Sequence, residues 1–206
     1  MPARGACLAC WLVAAATAAE PPRPVMRELP PGGLERAPSQ RDLVDARAEL
    51  QRRFREPLGR ASTAAGANRA AEMLLDAARA EEDRGLKWLM LTEVGRLAAA
   101  AGNAQMVDQA IVLASASYEF DEIEVELRVL GEIPLRALDP GRAVTLAQVA
   151  ERLATRAEAD HRLDDAVAAQ TLALRAWQRA GNQDAAVKAA ARHDALERAR
   201  VARPEP

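Results

Sequence analysis

Asp164-Asp165-Ala166-Val167-Ala168-Ala169-Gln170-Thr171-Leu172-Ala173-Leu174-Arg175-Ala176-Trp177-Gln178-Arg179-Ala180-Gly181-Asn182 is the stretch whose reading decides the fold. Alanines at 166, 169, 173, 176 and 180 recur at intervals of three and four, with Val167, Leu174 and Trp177 beside them. That spacing makes one apolar stripe along an α-helix. Gly181-Asn182 ends it, because a residue without Cβ enters the left-handed conformation that closes helix C-termini. A further helical pattern begins at once, from Asp184 to Arg200. The same ending occurs earlier in the chain. Trp88, Leu91, Val94, Leu97, Ala98 and Ala101 form a broad apolar face that stops at Gly102-Asn103. Aligning the two glycines also pairs Thr92 with Thr171, Arg96 with Arg175 and Ala110 with Ala189.

Outward from these two stretches the punctuation continues. A first helical segment runs from about Gln40 to Arg55, with Leu43, Ala46, Leu50 and Phe54 in phase, and Pro57 and Gly59 end it. Ser62-Thr63 can cap a second, which carries Ala70, Leu74, Ala77 and Ala78. After Gly102-Asn103, the fourth segment (104–118) aligns Met106, Ala110, Leu113 and Ala114. Asp121 with Glu124 fits a capping box for the fifth, in which Ile123, Leu127 and Leu130 precede Pro134. Asp139-Pro140-Gly141 starts the sixth, where proline suits a first helical position, and Asp160-His161-Arg162 separates it from the seventh.

Composition agrees. Half of the 206 residues are hydrophobic but only 3% are aromatic, roughly a quarter of the chain is alanine, and isoleucine is scarce, a balance that favours helix over sheet. The expected class is therefore all-α, with about eight antiparallel helices in residues 41–200. Short links leave two arrangements, a solenoid of helical hairpins or a closed bundle. The 28 basic and 30 acidic side chains leave a net charge of −2. No basic excess is present to displace counterions from phosphates, so no nucleic-acid partner is expected.

The stretches Asp164 to Asn182 and Trp88 to Asn103 resemble degenerate tetratricopeptide-type hairpins, each a long helix, an Ala-Gly-Asn turn and a second helix. The body as a whole resembles helical-hairpin regions of exported bacterial proteins. The two junctions lie 79 residues apart, and most aromatic and proline positions of the 34-residue repeat are absent. The resemblance implies a protein-binding scaffold with no chemistry of its own.

Residues 1–19 read as a secretory signal: Arg4 in the positive region, an apolar run from Gly5 to Ala16, and small residues for cleavage after Ala18 or Ala19. The run is too short for a membrane span, and no later segment is apolar enough for one. Cys7 and Cys10 share the C-x-x-C spacing of redox and zinc sites, but both fall inside the signal, so the exported chain keeps no cysteine. Residues 20–40 hold half of the 12 prolines together with Gly32-Gly33 and are expected to form an extended, poorly ordered tether. Residues 201–206 form a short tail.

Catalytic patterns are missing. His161 and His193, the two histidines, lie in no metal-binding spacing and are expected to be solvated. The acidic run Glu119, Asp121, Glu122, Glu124 and Glu126 starts a helix, where carboxylates complement the dipole, rather than forming a calcium loop. No G-x-S-x-G elbow or phosphate loop occurs. Trp88 and Trp177 fall on or beside apolar stripes and read as core anchors, while Tyr118 and Phe120 flank a helix junction.

These readings converge on an exported, secreted or periplasmic, non-enzymatic scaffold without catalytic residues, metal or cofactor, binding a protein or peptide in a groove between hairpins. Arg96 and Arg175 are the candidate groove contacts. One alternative is a closed bundle carrying a lipid or small apolar ligand, for which an apolar cavity of a few hundred cubic ångströms would speak. A second is a lyase-like or transglycosylase-like helical enzyme, which requires a carboxylate in a deep cleft.

Overall fold

A computed structural model describes residues 33–39, 41 and 43–202. Among these the chain forms α1 (Val44–Arg53), α2 (Arg55–Gly59), α3 (Ala64–Ala80), α4 (Arg84–Ala101), α5 (Ala104–Ser115), α6 (Glu122–Gly131), α7 (Pro140–Ala159), α8 (Leu163–Ala180) and α9 (Gln183–Val201). Two short strands, β1 (Glu35–Arg36) and β2 (Tyr118–Glu119), and a 3-10 turn at Leu135–Ala137 complete the described elements. The all-α expectation holds. The signal, its cysteines and the cleavage residues Ala18 and Ala19 lie outside the described residues.

The junctions work as the residue types dictate. Gly102 and Gly181 adopt φ of 71° and 73°, and the N–H groups of Asn103 and Asn182 donate back to the carbonyls of Ala98 and Trp177 at 2.8 and 3.2 Å. Each asparagine then caps the next helix, Asn103 accepting from the Met106 N–H and Asn182 from the Ala185 N–H, both at 3.1 Å. One residue thus satisfies groups at the end of one helix and the start of another. Thr63, Asp121 and Asp139 cap α3, α6 and α7 as expected, accepting from Gly66, Glu124 and Arg142.

Four features depart from the expectations. A ninth helix, α2, occupies Pro57–Gly59 and its approach, because proline is tolerated in a first helical turn and the break falls earlier, at Phe54. The first helix begins at Val44 rather than near Gln40. The end of the proline-rich segment is not free: β1 pairs in parallel with β2, Glu35 opposite Tyr118, and the Glu35 N–H donates to the Ser117 carbonyl at 3.2 Å. Glu35 also pairs with Arg84 at the start of α4. Finally, α9 runs to Val201, one residue into the expected tail.

Successive helices from α3 to α9 pack on one another. α3, α5 and α7 also touch in turn, as do α4, α6 and α8, while α1 lies on α4. The interior is built largely from alanine: Ala143, Ala147, Ala150, Ala154 and Ala157 of α7 and Ala166, Ala169, Ala173 and Ala176 of the adjoining α8 are all at 0% exposure. Small side chains let the two helix backbones approach closely, and each buried methyl contributes about 0.8 kcal/mol.

Arginines of α7 and the turn after it reach back to acceptors earlier in the chain. Arg142 donates to the Ala101 carbonyl at 2.5 Å, Arg152 to Asp108 at 3.1 Å and Arg156 to Glu126 at 2.7 Å. Arg162 bridges Asp121 at 2.5 Å and Asp165 at 2.7 Å.

Candidate functional site

The candidate site is an apolar cleft between α4 and α6, floored by α5. On α4 the helical repeat brings Trp88, Leu91, Thr92 and Gly95 to one side, and on α6 it brings Val125, Arg128 and Val129. Ala110, Ile111 and Ala114 of α5 form the floor and Phe120 closes one end, enclosing about 160 Å³. An apolar space near that size admits a ring as large as benzene.

An aromatic cluster fixes the closed end. Trp88 meets Tyr118 edge-on at 5.0 Å between ring centres and Phe120 at 5.4 Å. Tyr118 is 2% exposed and donates its hydroxyl to the Arg84 carbonyl at 2.6 Å. Burial pushes its phenol up to about 12. The expectation for the tryptophans therefore divides. Trp177 is a core anchor, buried, with its indole N–H donated to Glu151 at 2.9 Å. Trp88 packs on the core with part of its ring but lines the cleft with the rest.

Gly95 makes the space. It is buried in the middle of α4, where glycine weakens a helix by roughly 0.5–1 kcal/mol relative to alanine. No close approach demands it: an added Cβ would meet only a Val129 methyl, at an ordinary 3.7 Å. In the alignment of the two Ala-Gly-Asn junctions its counterpart is Leu174, and Trp88 corresponds to Val167. The second hairpin thus carries a bulky side chain where the first leaves a gap.

Arg128 is exposed at the cleft rim and forms no ion pair among the described residues. The two arginines singled out from the sequence lie elsewhere. Arg96 is exposed on α4 and bound to Glu93 on the same helix at 2.5 Å, which, with the nearby Glu132, holds its guanidinium above its ordinary range. Arg175 is exposed on α8. α6 stands between the two helices, and neither arginine lines the cleft. Arg128 escaped the sequence reading because an exposed helical arginine becomes distinctive only when the facing helix is known. Gly95 carried a legible signal, a glycine inside an otherwise unbroken apolar face.

The acidic run contains one residue that is not a solvated helix start. Glu126 is 1% exposed. Desolvation raises its carboxyl above the ordinary range, with Asp108 adding to the rise and Arg156 and Arg152 opposing it. Asp121, by contrast, is lowered by its bond to Arg162. Gln170 is also buried, donating to the Ala189 carbonyl at 3.1 Å while its side-chain oxygen has no partner. Of the histidines, His161 occupies the left-handed turn between α7 and α8 with φ of 61°, and His193 lies 3.6 Å from Asp194. Among the described residues no three His, Cys, Asp or Glu side chains are grouped to hold a metal ion, and no helix is long and apolar enough to cross a membrane.

Compared with protein-family models, with curated proteins and with solved structures, the chain matches none.

Proposed function

We propose that this protein is an exported, non-enzymatic scaffold of tetratricopeptide-like helical hairpins that holds a protein or peptide partner in the cleft between α4 and α6. The observation that carries the proposal is the cleft itself: a buried mid-helix glycine, Gly95, opens apolar space between two rows of helix residues although no neighbour requires its small size. The solenoid reading is favoured by the packing order from α3 to α9, in which helices touch their next neighbours and next but one, although α1 packs on α4. A closed bundle brings its first and last helices together.

The carrier alternative needs an enclosed apolar cavity for a lipid. A cleft of about 160 Å³ is too small for that, a groove of about 290 Å³ between α2 and α3 is rimmed by Glu56, Arg60 and Arg69, and a depression of about 540 Å³ beside Asp121, Arg156 and Arg162 is open and charged. The enzyme alternative needs a carboxylate in a deep cleft; Asp121, Glu122 and Asp160 line an open depression in which Asp121 is paired with Arg162, and Glu126 is 1% exposed and bound to Arg156.

The test immobilises the exported chain, its processing at Ala18 or Ala19 checked by N-terminal sequencing, beside a Gly95→Leu variant, and passes an envelope extract over both. A protein retained by the parent and lost by the variant, with an unchanged melting curve, supports the scaffold. Equal retention by both overturns the cleft, and recovery of a lipid alone turns the reading to the carrier.

A further inference from the structure

We infer that the partner enters the cleft with a leucine- or phenylalanine-sized side chain flanked by a carboxylate, so that the cleft selects acidic segments with a single bulky apolar anchor. The inference rests on the scaffold reading and names the ligand chemistry of the same site. Size and shape set the anchor. A space of about 160 Å³, walled by Trp88, Leu91, Val125 and Val129 and closed by Phe120, takes one large apolar side chain and no more. Aromatic edges on one side and branched aliphatics on the other suit a ring or an isobutyl group.

The charge at the rim sets the neighbour. Arg128 stands one helical turn from Val125 and adjoins Val129, so its guanidinium lies over the mouth of the same space. Glu124 and Glu132 are four residues away on either side of it, yet among the described residues Arg128 forms no ion pair. Arg96 lies outside the cleft lining and is held by Glu93 at 2.5 Å. Arg128 thus remains available to a carboxylate from a ligand whose side chain is seated below, and its planar fork can donate two parallel N–H bonds to that carboxylate. A basic flank would meet the same guanidinium with like charge.

The alignment of the two hairpins makes the site particular rather than generic. Thr92 and Thr171 occupy equivalent positions and make the same bond, each hydroxyl donating to the carbonyl four residues before it, Trp88 and Val167 respectively. Around that shared feature Gly95 becomes Leu174 and Trp88 becomes Val167. The second hairpin has the same framework with Leu174 where the first has Gly95, so the anchor site belongs to the first hairpin.

The experiment follows the indole N–H of Trp88 and the amide of Gly95 by nuclear magnetic resonance as two acetylated heptapeptides are added, one with a central phenylalanine between glutamates, the other between lysines. The glutamate peptide is expected to shift both signals and to bind about fivefold more tightly than the lysine peptide, the scale of an exposed ion pair. Arg128→Glu, an exposed change that leaves the fold intact, is expected to reverse the preference. Equal binding of both peptides, or indifference to Arg128→Glu, overturns the acidic selection and leaves the cleft as a peptide site. If neither peptide shifts Trp88 at millimolar concentration, the cleft reading falls with it.

Discussion

Leu138 lies over Gly102 so closely that a Cβ on that glycine would stand 2.4 Å from the leucine Cδ2. Gly181, in the same Ala-Gly-Asn sequence and at nearly the same φ, has nothing within 4 Å of its own Cβ position. Alanine at either site adopts a left-handed backbone at a cost of about 1–2 kcal/mol. At Gly102 overpacking adds roughly 1–3 kcal/mol. Urea unfolding should therefore show Gly102→Ala less stable than Gly181→Ala by at least about 1 kcal/mol. Equal losses would mean that Leu138 moves aside freely.

Gly95→Ala should behave in the opposite sense. Its φ is helical and its Cβ meets Val129 at 3.7 Å, so the substitution removes a helix penalty and strains nothing. We expect a gain of about 0.5–1 kcal/mol together with weaker peptide binding at the narrowed cleft. A loss of stability would show that the space is needed by the fold and not by a ligand.

The pattern of what could be read from the chain follows from how far each feature reaches. Gly102, Gly181, Asp121 and Asp139 act on groups within a few residues, and the sequence names their roles. His161 performs the same left-handed turn as the glycines; the sequence places it between two helical segments, but histidine marks that conformation far more weakly than glycine does. The pairing of β1 with β2 joins residues more than eighty positions apart and has no period to reveal it. Of the site, the apolar face carrying Trp88 was legible, whereas Val125 and Val129 lie off the stripe of Ile123, Leu127 and Leu130 read for α6, and the opposition of the two helices has no mark in the sequence. Arg96 and Arg175 stood out through the repeat alignment, whereas Arg128 acquires meaning only from the cleft beside it.

Tyr118 gives a spectroscopic check on the aromatic end of the cleft, since it is the chain's 1 tyrosine. Its phenol is pushed up to about 12 from 10.0 by burial. Between those values the folded protein keeps a proton that the unfolded chain releases, so stability present below pH 10 is lost as pH rises toward 12. Absorbance titration should show no tyrosinate until the protein unfolds or the pH approaches that upper value. Ionisation near pH 10 in the folded state would place the ring in water. Tyr118→Phe, which removes the hydroxyl's bond to the Arg84 carbonyl, should cost about 1 kcal/mol.

Glu126 should leave a pH signature of the opposite kind from most carboxylates. Its folded value lies above the ordinary one because burial desolvates the anion, an effect Arg156 offsets only in part. In the interval from its ordinary value of 4.5 up to the raised one, the folded state binds a proton that the unfolded state has lost. Stability contributed by this group is therefore present at low pH and declines as pH rises through that interval. Glutamine imitates the neutral acid and does not titrate. The melting temperature of Glu126→Gln minus that of the parent should be small at pH 4.5, grow as pH rises, and then level off. Asp121 and Glu49, both lowered by arginine partners, lose stability toward acid but do so in parent and variant alike, so they cancel. Arg156→Met removes the counter-charge while leaving the carboxylate buried. It should cost about 2–3 kcal/mol at neutral pH, less than the roughly 3–5 of a fully enclosed pair, because the arginine is 40% exposed. A melting difference that stays constant with pH, or shrinks as pH rises, would show that Glu126 ionises as freely as a surface carboxylate and that α6 does not bury it against α7.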